Sequence, residues 1–599
     1  MTGTTGAGDF GPPSRRARRL LLQQLGAREI VVVDFEYGID ANGLPDVRCM
    51  VAHEIGSGRV FRLSGEELLT CTVPPFAHGP GVVVVAYYAS AEMGCFLALG
   101  WPLPTRVLDL FAEFRNLTNG ASLPHGAGLL GALTYFALPM IGAEEKEEMR
   151  ALALRSGPYS DAERAALLDY CETDVVALVR LLPYLASASE VEVHRAFLRG
   201  RYTMAVARME RAGIPLEASV LDRLQTHWAA ILRELVAAVD RRYGVFDGVS
   251  FREKLFREYV EKRQISWPRL SSGRLMLDAD TFKAMVAAYP DLRLLHELRE
   301  SLAQMRLNAL AVWGDGRNRV MLSMFRARTG RNQPSNTKFI FGTAVWLRFL
   351  IRPRPGYALA YVDWSQQEFG IAAALSGDPA MAEAYTSGDP YLAFAKQAGA
   401  VPFDATKSSH KKEREQFKAC VLAVQYGMGA DSLAHRIGQP VARARELLRL
   451  HRETYPVFWA WSDRVVNHGQ LAGFLYTAYG WNLRVGADAN EPSLRNFPMQ
   501  GNGAEMLRLA CCFVTERGIT VCAPVHDALL IEAPEAEIEE AIAATQEAMA
   551  EASAFVLNSF RLRSDVKVVR YPDRYGDERG TEMWNHVMAV LEKVAGDSK

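Results

Sequence analysis

Two apolar, strand-like runs that each deliver an aspartate constrain this chain more than any other feature. The first, Tyr357 to Val362, is followed by Asp363 and then by helical spacing, with Phe369, Ala372, Ala373 and Leu375 on one apolar side. The second, Ile519 to Val525, ends in His526-Asp527 and resumes as Ala528 to Glu532, the pattern of a hairpin tip. A carboxylate at a strand-to-helix junction suits a hydrated divalent cation, because Mg²⁺ sites commonly combine one or two carboxylates with substrate phosphates. Two such aspartates on neighbouring elements can hold two metals about 3.5–4 Å apart, the geometry of two-metal phosphoryl chemistry. For either aspartate alone, starting a turn is the plainer reading.

The segment between them tips the balance. Arg414, Lys418, Leu422 and Tyr426 recur every four residues and so stack along one helical face. Two cations one turn apart suit a triphosphate, and an aromatic two turns further on suits a base. The competing reading is a surface helix with a solvated basic stripe, extended by Lys411 and Lys412. Asp363-x-x-Gln366-x-Glu368, Arg414-x3-Lys418-x7-Tyr426-Gly427 and His526-Asp527, in that order, resemble motifs A, B and C of family A DNA polymerases, the DNA polymerase I type. Thr329-Gly330-Arg331 and Phe497-Pro498-Met499-Gln500-Gly501 resemble primer-template-contacting motifs of the same family. Each motif alone is weak; five in one order are specific.

Near the N-terminus, residues 29–40 (EIVVVDFEYGID) read as a buried strand whose alternation puts Asp34 and Glu36 on one face. Two carboxylates on the buried face of a core strand are costly unless a cation balances them. Val47 to Ile55 and Arg59 to Leu63 read as its hairpin partner, and Val82 to Tyr88 as a further strand before Glu92. Asp161 to Leu185 reads as one helix with Tyr170 and Asp174 on adjacent turns. Asp34-x-Glu36 followed by Tyr170-x3-Asp174 resembles the 3′–5′ proofreading exonuclease of the ribonuclease H-like fold. The departure is Glu92, where that family usually has Asp: it either serves as a metal ligand with one more methylene of reach, or the domain survives as a silent scaffold. Asp109 is expected to cap a helix rather than join the site.

The resemblance implies an α/β multidomain chain, a ribonuclease H-like exonuclease domain followed by a right-hand polymerase. The expected divisions are a disordered or basic tail over 1–26, in which Arg15 to Arg19 and the LLLQQL after it read as a short helix or tether, an exonuclease-like domain over 27–190, and a polymerase domain over 191–599. Within the last, the thumb is expected at about 191–315, the palm at about 316–376 and 471–599, and the fingers at about 377–470. It also implies roles. Asp363 and Asp527 would bind two Mg²⁺ (or Mn²⁺), and Asp34, Glu36, Glu92 and Asp174 the exonuclease metals, with Tyr170 assisting. Arg414, Lys418, Gln366 and Tyr426 would hold the dNTP. Glu368 would be the steric gate against a ribose 2′-OH. Arg331, Asn496, Gln500 and His526 would contact primer-template DNA. Several positions depart from the family pattern: Leu422 for an aromatic, Ala528 for Glu, Tyr391 for His and Gly370 for Arg, which marks a divergent, phage- or mobile-element-like branch.

Composition adds bounds. With 68 Lys+Arg against 69 Asp+Glu, net charge gives no global argument for nucleic acid, so any such surface is a local patch. The eight cysteines form no CxxC pair, which argues for reduced thiols and against structural zinc. No apolar run reaches membrane-spanning length and no signal peptide is evident. A cytoplasmic, nucleoid-associated monomer is therefore expected, with replication accessory proteins as further partners. The competing functions are a single-subunit RNA polymerase, a catalytically dead DNA-binding factor, and a nuclease whose large domain only holds DNA.

Overall fold

The computed structural model describes residues 14–139, 143–188, 193–270, 272–304, 307–486 and 489–596. The chain forms two compact units, one from residues 1–212, 322–333 and 360–567, the other from 213–321, 334–359 and 568–599.

The first unit opens with α1 (Arg15–Gln24), whose first turn is capped by the Ser14 side chain accepting from Ala17 N–H. The basic stretch, expected as a short helix or tether, is helical over Arg15–Gln24. Residues 15–24 are helical because Leu21 and Leu25 are buried in the core of the domain that follows, leaving the arginines outward. Residues 1–13 lie outside the described part. Next come β1 (Glu29–Ile39), β2 (Pro45–Glu54), β3 (Val60–Ser64), β4 (Val82–Ala86) and β5 (Val107–Asp109), in one sheet of order β3-β2-β1-β4-β5. β1 runs antiparallel to β2 and parallel to β4, and β4 is parallel to β5. A sheet covered on both faces explains the near-continuous apolar run of β1. Ile30 and Val32 belong to one core with Cys171, Val175 and Leu178 of the long helix, while Val31, Val33 and Phe35 belong to the other with Met93, Phe96 and Trp101. Period-two alternation therefore sends Asp34 and Glu36 to the face covered by α3 (Asp161–Ala188), after the shorter α2 (Leu110–Thr118). α4 (Val193–Ala212) packs against β5 and α2 and closes this half.

The remainder of the unit is built on a four-stranded sheet. Its strands are β6 (Tyr357–Trp364), β9 (Thr520–Val525), β10 (Ala528–Pro534) and β11 (Ser564–Arg570), in the order β9-β10-β6-β11. A separate hairpin joins β7 (Phe474–Tyr476) to β8 (Asn482–Arg484). From β6 the chain enters α5 (Gln367–Ser376), then a run of helices that includes α6 (Lys411–Gln425), and returns through α7 (Glu491–Glu516), which is buried along most of its length. Gly503 lets α7 approach closely, since a Cβ there would stand 2.9 Å from Gln367 Oε1. The second unit is mainly helical, with helices Ala218–Tyr243, Glu253–Lys262, Ala279–Ala288, Arg293–Gln304 and Thr581–Gly596. No helix among the described residues is long and apolar enough to cross a membrane.

Candidate active sites

β9 and β10 pair up to Val525 opposite Ala528, so His526 and Asp527 form a two-residue turn. Such a turn needs positive φ at its first residue, and His526 supplies it at 58°. Trp364 N–H, at the end of β6, donates to the Asp527 carbonyl at 3.4 Å and pins the tip beside Asp363. Burial, and then the Asp527 carboxylate, push the Asp363 carboxyl up to about 8. Asp363 Oδ1 is buried with no hydrogen-bond partner among the described residues. Facing carboxylates with an orphaned buried oxygen are an arrangement that a divalent cation relieves, so these residues fit a metal. Asp565 on β11 adds to the repulsion at Asp363 and accepts from Ser365 Oγ at 2.7 Å.

Around this pair the structure gathers four expected residues from four segments. Glu368, in the first turn of α5, accepts from the Tyr426 hydroxyl at 3.2 Å and from the Gln500 amide. Burial raises the Glu368 pKa, and the Arg331 charge nearby opposes that rise. Gln366 precedes α5 in the left-handed region (φ 49°), and its Oε1 and the Oδ1 of Asn496 are buried without a hydrogen-bond partner among the described residues. His526 is exposed at the hairpin tip.

On α6 the two cations differ. Arg414 is buried and ion-paired, through Nε to Asp389 at 2.5 Å and through a terminal nitrogen to Glu415 at 2.6 Å. Lys418 makes no ion pair among the described residues and lines a cavity of about 450 Å³ with Lys412, Leu422, Arg436 and Gln439. Both cations lie over the Tyr391 ring, at 5.4 and 5.9 Å, and burial pushes the Tyr391 phenol up to about 12. Gly370 is small for a steric reason: a Cβ there would lie 2.4 Å from Leu562 and 2.9 Å from the Tyr385 ring.

The second acidic site lies on β1 and α3. Asp34, Glu36 and Asp174 each offer an oxygen, and the three lie within 4.8 Å of one another, which fits a cation. Burial and the charges of Asp174, Glu36 and Asp34 hold the Tyr170 phenol proton well above its usual range. Glu92 is not in that group of three. It is 5% exposed, its Oε2 has no hydrogen-bond partner among the described residues, and burial followed by the Asp34 charge raises it well above the carboxylate range. Asp109 caps α2, its Oδ1 accepting from the N–H groups of Phe111 and Tyr88, both at 2.9 Å. Glu113 forms a buried bidentate pair with Arg199, both contacts at 2.7 Å.

Residues 332–571 match DNA polymerase family A. The chain is similar to the thermostable DNA polymerase I of Thermus thermophilus, 26% identical over 378 residues, which cover 58% of this chain and 44% of that protein. It is also similar to DNA polymerase I of Chloroflexus aurantiacus, 26% identical over 541 residues covering 84% of this chain and 56% of the relative. The chain thus spans about half the length of these relatives. Its fold resembles that of the POL domain of Pol1 from M. smegmatis, solved in complex with DNA primer-template and dNTP, with a TM-score of 0.69 at 20% identity over 93% of this chain and 98% of that one.

The matched span contains Asp363, Glu368, Arg414, Lys418, Tyr426, Gln500 and Asp527, while Arg331 stands one residue before it. Two neighbours of the sites escape a sequence reading. Asp565 lies 202 positions from Asp363 in the sequence, and nothing in its strand announces that β11 flanks β6. Cys171 places its Sγ 3.4 Å from Asp34 Oδ2, yet a cysteine in an apolar helix face reads as core.

Proposed function

We propose that this chain is a template-directed DNA polymerase that extends a primer 3′-OH with dNTPs, and that its N-terminal domain is a 3′–5′ exonuclease. The observation that carries the reading is the Asp363–Asp527 pair, set on one sheet with Glu368, Tyr426 and Gln500 clustered at the start of α5. In this reading residues 27–190 are the exonuclease, 191–315 the thumb, 316–376 with 471–599 the palm, and 377–470 the fingers. Sheet order β3-β2-β1-β4-β5, with antiparallel pairings β1–β2 and β2–β3 and parallel pairings β1–β4 and β4–β5, supports the ribonuclease H-like assignment of the first part.

Asp363 and Asp527 would hold Mg²⁺ (or Mn²⁺), which lowers the charge cost of 3′-OH attack on the α-phosphate and stabilises departing pyrophosphate. The chain's own groups supply the rest. Lys418, which makes no ion pair among the described residues and lies over the Tyr391 ring, offers its ammonium to the triphosphate. Arg414 exchanges Asp389 and Glu415 for phosphate oxygens, so binding must compete with its existing ion pairs. Tyr426, 45% exposed, offers a ring face to the nascent base pair. Glu368, held in place by Tyr426 and Gln500, fills the space a ribose 2′-OH needs. Arg331, Asn496, Gln500 and His526 present donors to the primer-template, and an arginine in the minor groove meets acceptors common to all base pairs. Asp34, Glu36 and Asp174 would hold the exonuclease cations, with Tyr170 orienting the attacking water.

One observation favours a second reading, in which the N-terminal domain is a silent scaffold: Glu92 stands outside the three-carboxylate group. A 5′-labelled primer with one mismatched 3′ base, on a DNA template with Mg²⁺ and four dNTPs, separates the readings. Shortening followed by full extension is expected. Extension straight from the mismatch would leave the scaffold reading, and failure to extend a matched primer would remove the polymerase reading.

A further inference from the structure

The sheet that carries Asp363 has the order β9-β10-β6-β11, so β6 lies between the hairpin that bears Asp527 and the strand that bears Asp565. The join to β11 is made where β6 ends. Ser365 N–H, one residue past β6, donates at 2.9 Å to the carbonyl of Arg563, one residue before β11. The chain arrives at this contact along β6 and leaves it along β11, so the two neighbouring strands run antiparallel. Two residues back along β6 and two on along β11 bring Asp363 level with Asp565. Residues directly opposite in an antiparallel pair share a face, with Cβ atoms about 4.5–5.5 Å apart. The Ser365 hydroxyl agrees with that register, donating to Asp565 Oδ2 at 2.7 Å from the diagonal position.

Asp527, Asp363 and Asp565 thus stand abreast on neighbouring elements, and none of them makes an ion pair among the described residues. Like charges directly opposite destabilise a strand pair. The buried Asp363 Oδ1, without a hydrogen-bond partner among the described residues, adds to that cost. Arg563, beside them, is turned away to the Tyr385 carbonyl at 2.9 Å. The frame is otherwise tied: the Tyr385 hydroxyl donates to the Ser365 carbonyl at 3.1 Å and accepts from Arg563 N–H at 3.0 Å. Ser365 occupies Asp565 Oδ2 and leaves Oδ1, on an exposed residue that a hydrated cation can reach. In the hairpin the residue after Asp527 is Ala528, which offers no side-chain oxygen.

We propose that Asp565 is a third carboxylate of the polymerase-like site, adding its charge and its Oδ1 to the shell of the cation that Asp363 and Asp527 would hold. The inference rests on the proposed function for what that cation does, and on the three carboxylates alone for its binding.

The test measures Mn²⁺ binding to the full chain from the electron paramagnetic resonance signal of free Mn²⁺. Every sample carries Asp34→Ala and Glu36→Ala, which silence the N-terminal acidic group. Asp565→Asn keeps an acceptor for the Ser365 hydroxyl and removes the charge, and its Mn²⁺ affinity is expected to fall about 10- to 100-fold. Asp565→Glu should restore most of that loss. Ser365→Ala, which breaks the hydrogen bond and keeps the charge, should weaken binding less than Asp565→Asn does. If the Asn variant does not fold, Asp565→Ser carries the same expectation. Unchanged affinity in Asp565→Asn overturns the inference, as does an absence of Mn²⁺ binding in the parent. An equal loss in Ser365→Ala also overturns it, because Asp565 would then only brace the turn. Extension of a matched primer by the unaltered chain, run in parallel, reports on the polymerase reading separately: its failure removes that reading, while Mn²⁺ affinity still decides the part played by Asp565.

Discussion

Glu210 closes α4 and accepts the Leu322 N–H from a site where burial lifts its carboxyl from 4.5 to about 7. Between those values the folded chain keeps a proton that the unfolded chain releases. Stability is therefore fully present below about pH 4.5 and falls as pH rises through 7. At about 1.4 kcal/mol per pH unit, the rise from 4.5 to about 7 is worth about 3 kcal/mol at pH 8. Glu210→Gln keeps a carbonyl for Leu322 N–H and removes the ionisation. Urea unfolding of both chains should show the variant more stable by about 3 kcal/mol at pH 8, and by less than about 1 kcal/mol at pH 5. Other buried carboxyls titrate in both chains and cancel in the difference. An equal difference at both pH values, or a loss of stability at pH 8, would refute the burial argument.

Asp527→Asn should abolish primer extension while single strands are still degraded; residual synthesis would move the metal site elsewhere. Asp34→Ala should end 3′ trimming of a mismatched primer and keep extension of a matched one. Arg199→Met removes the bidentate partner of the buried Glu113 and should cost about 3–5 kcal/mol in urea unfolding, most of it recovered in the double variant with Glu113→Leu. Glu368→Ala should admit ribonucleotides, seen as extension with rNTPs that the unaltered chain refuses.

Much of this was legible in the sequence because it depends on local periodicity. Alternation along β1 alone placed Asp34 with Glu36, and four-residue spacing alone placed Arg414 and Lys418 on one side of α6, with Tyr426 immediately past its end. The turn at His526-Asp527 follows from two strand-like runs separated by two residues. Partnership across the chain is a different matter. The sequence shows two equivalent cations on α6, but only the tertiary structure decides that Asp389 and Glu415 engage Arg414 and that Lys418 makes no ion pair among the described residues, because a charge acquires its neighbours from whatever element packs over it. In the same way Glu113 belongs to Arg199, Asp565 joins Asp363, and Gly370 yields its space to Tyr385. Periodicity assigns a residue to a face; packing from distant segments assigns that face its neighbours, and those neighbours set the charge, exposure and chemistry of the site.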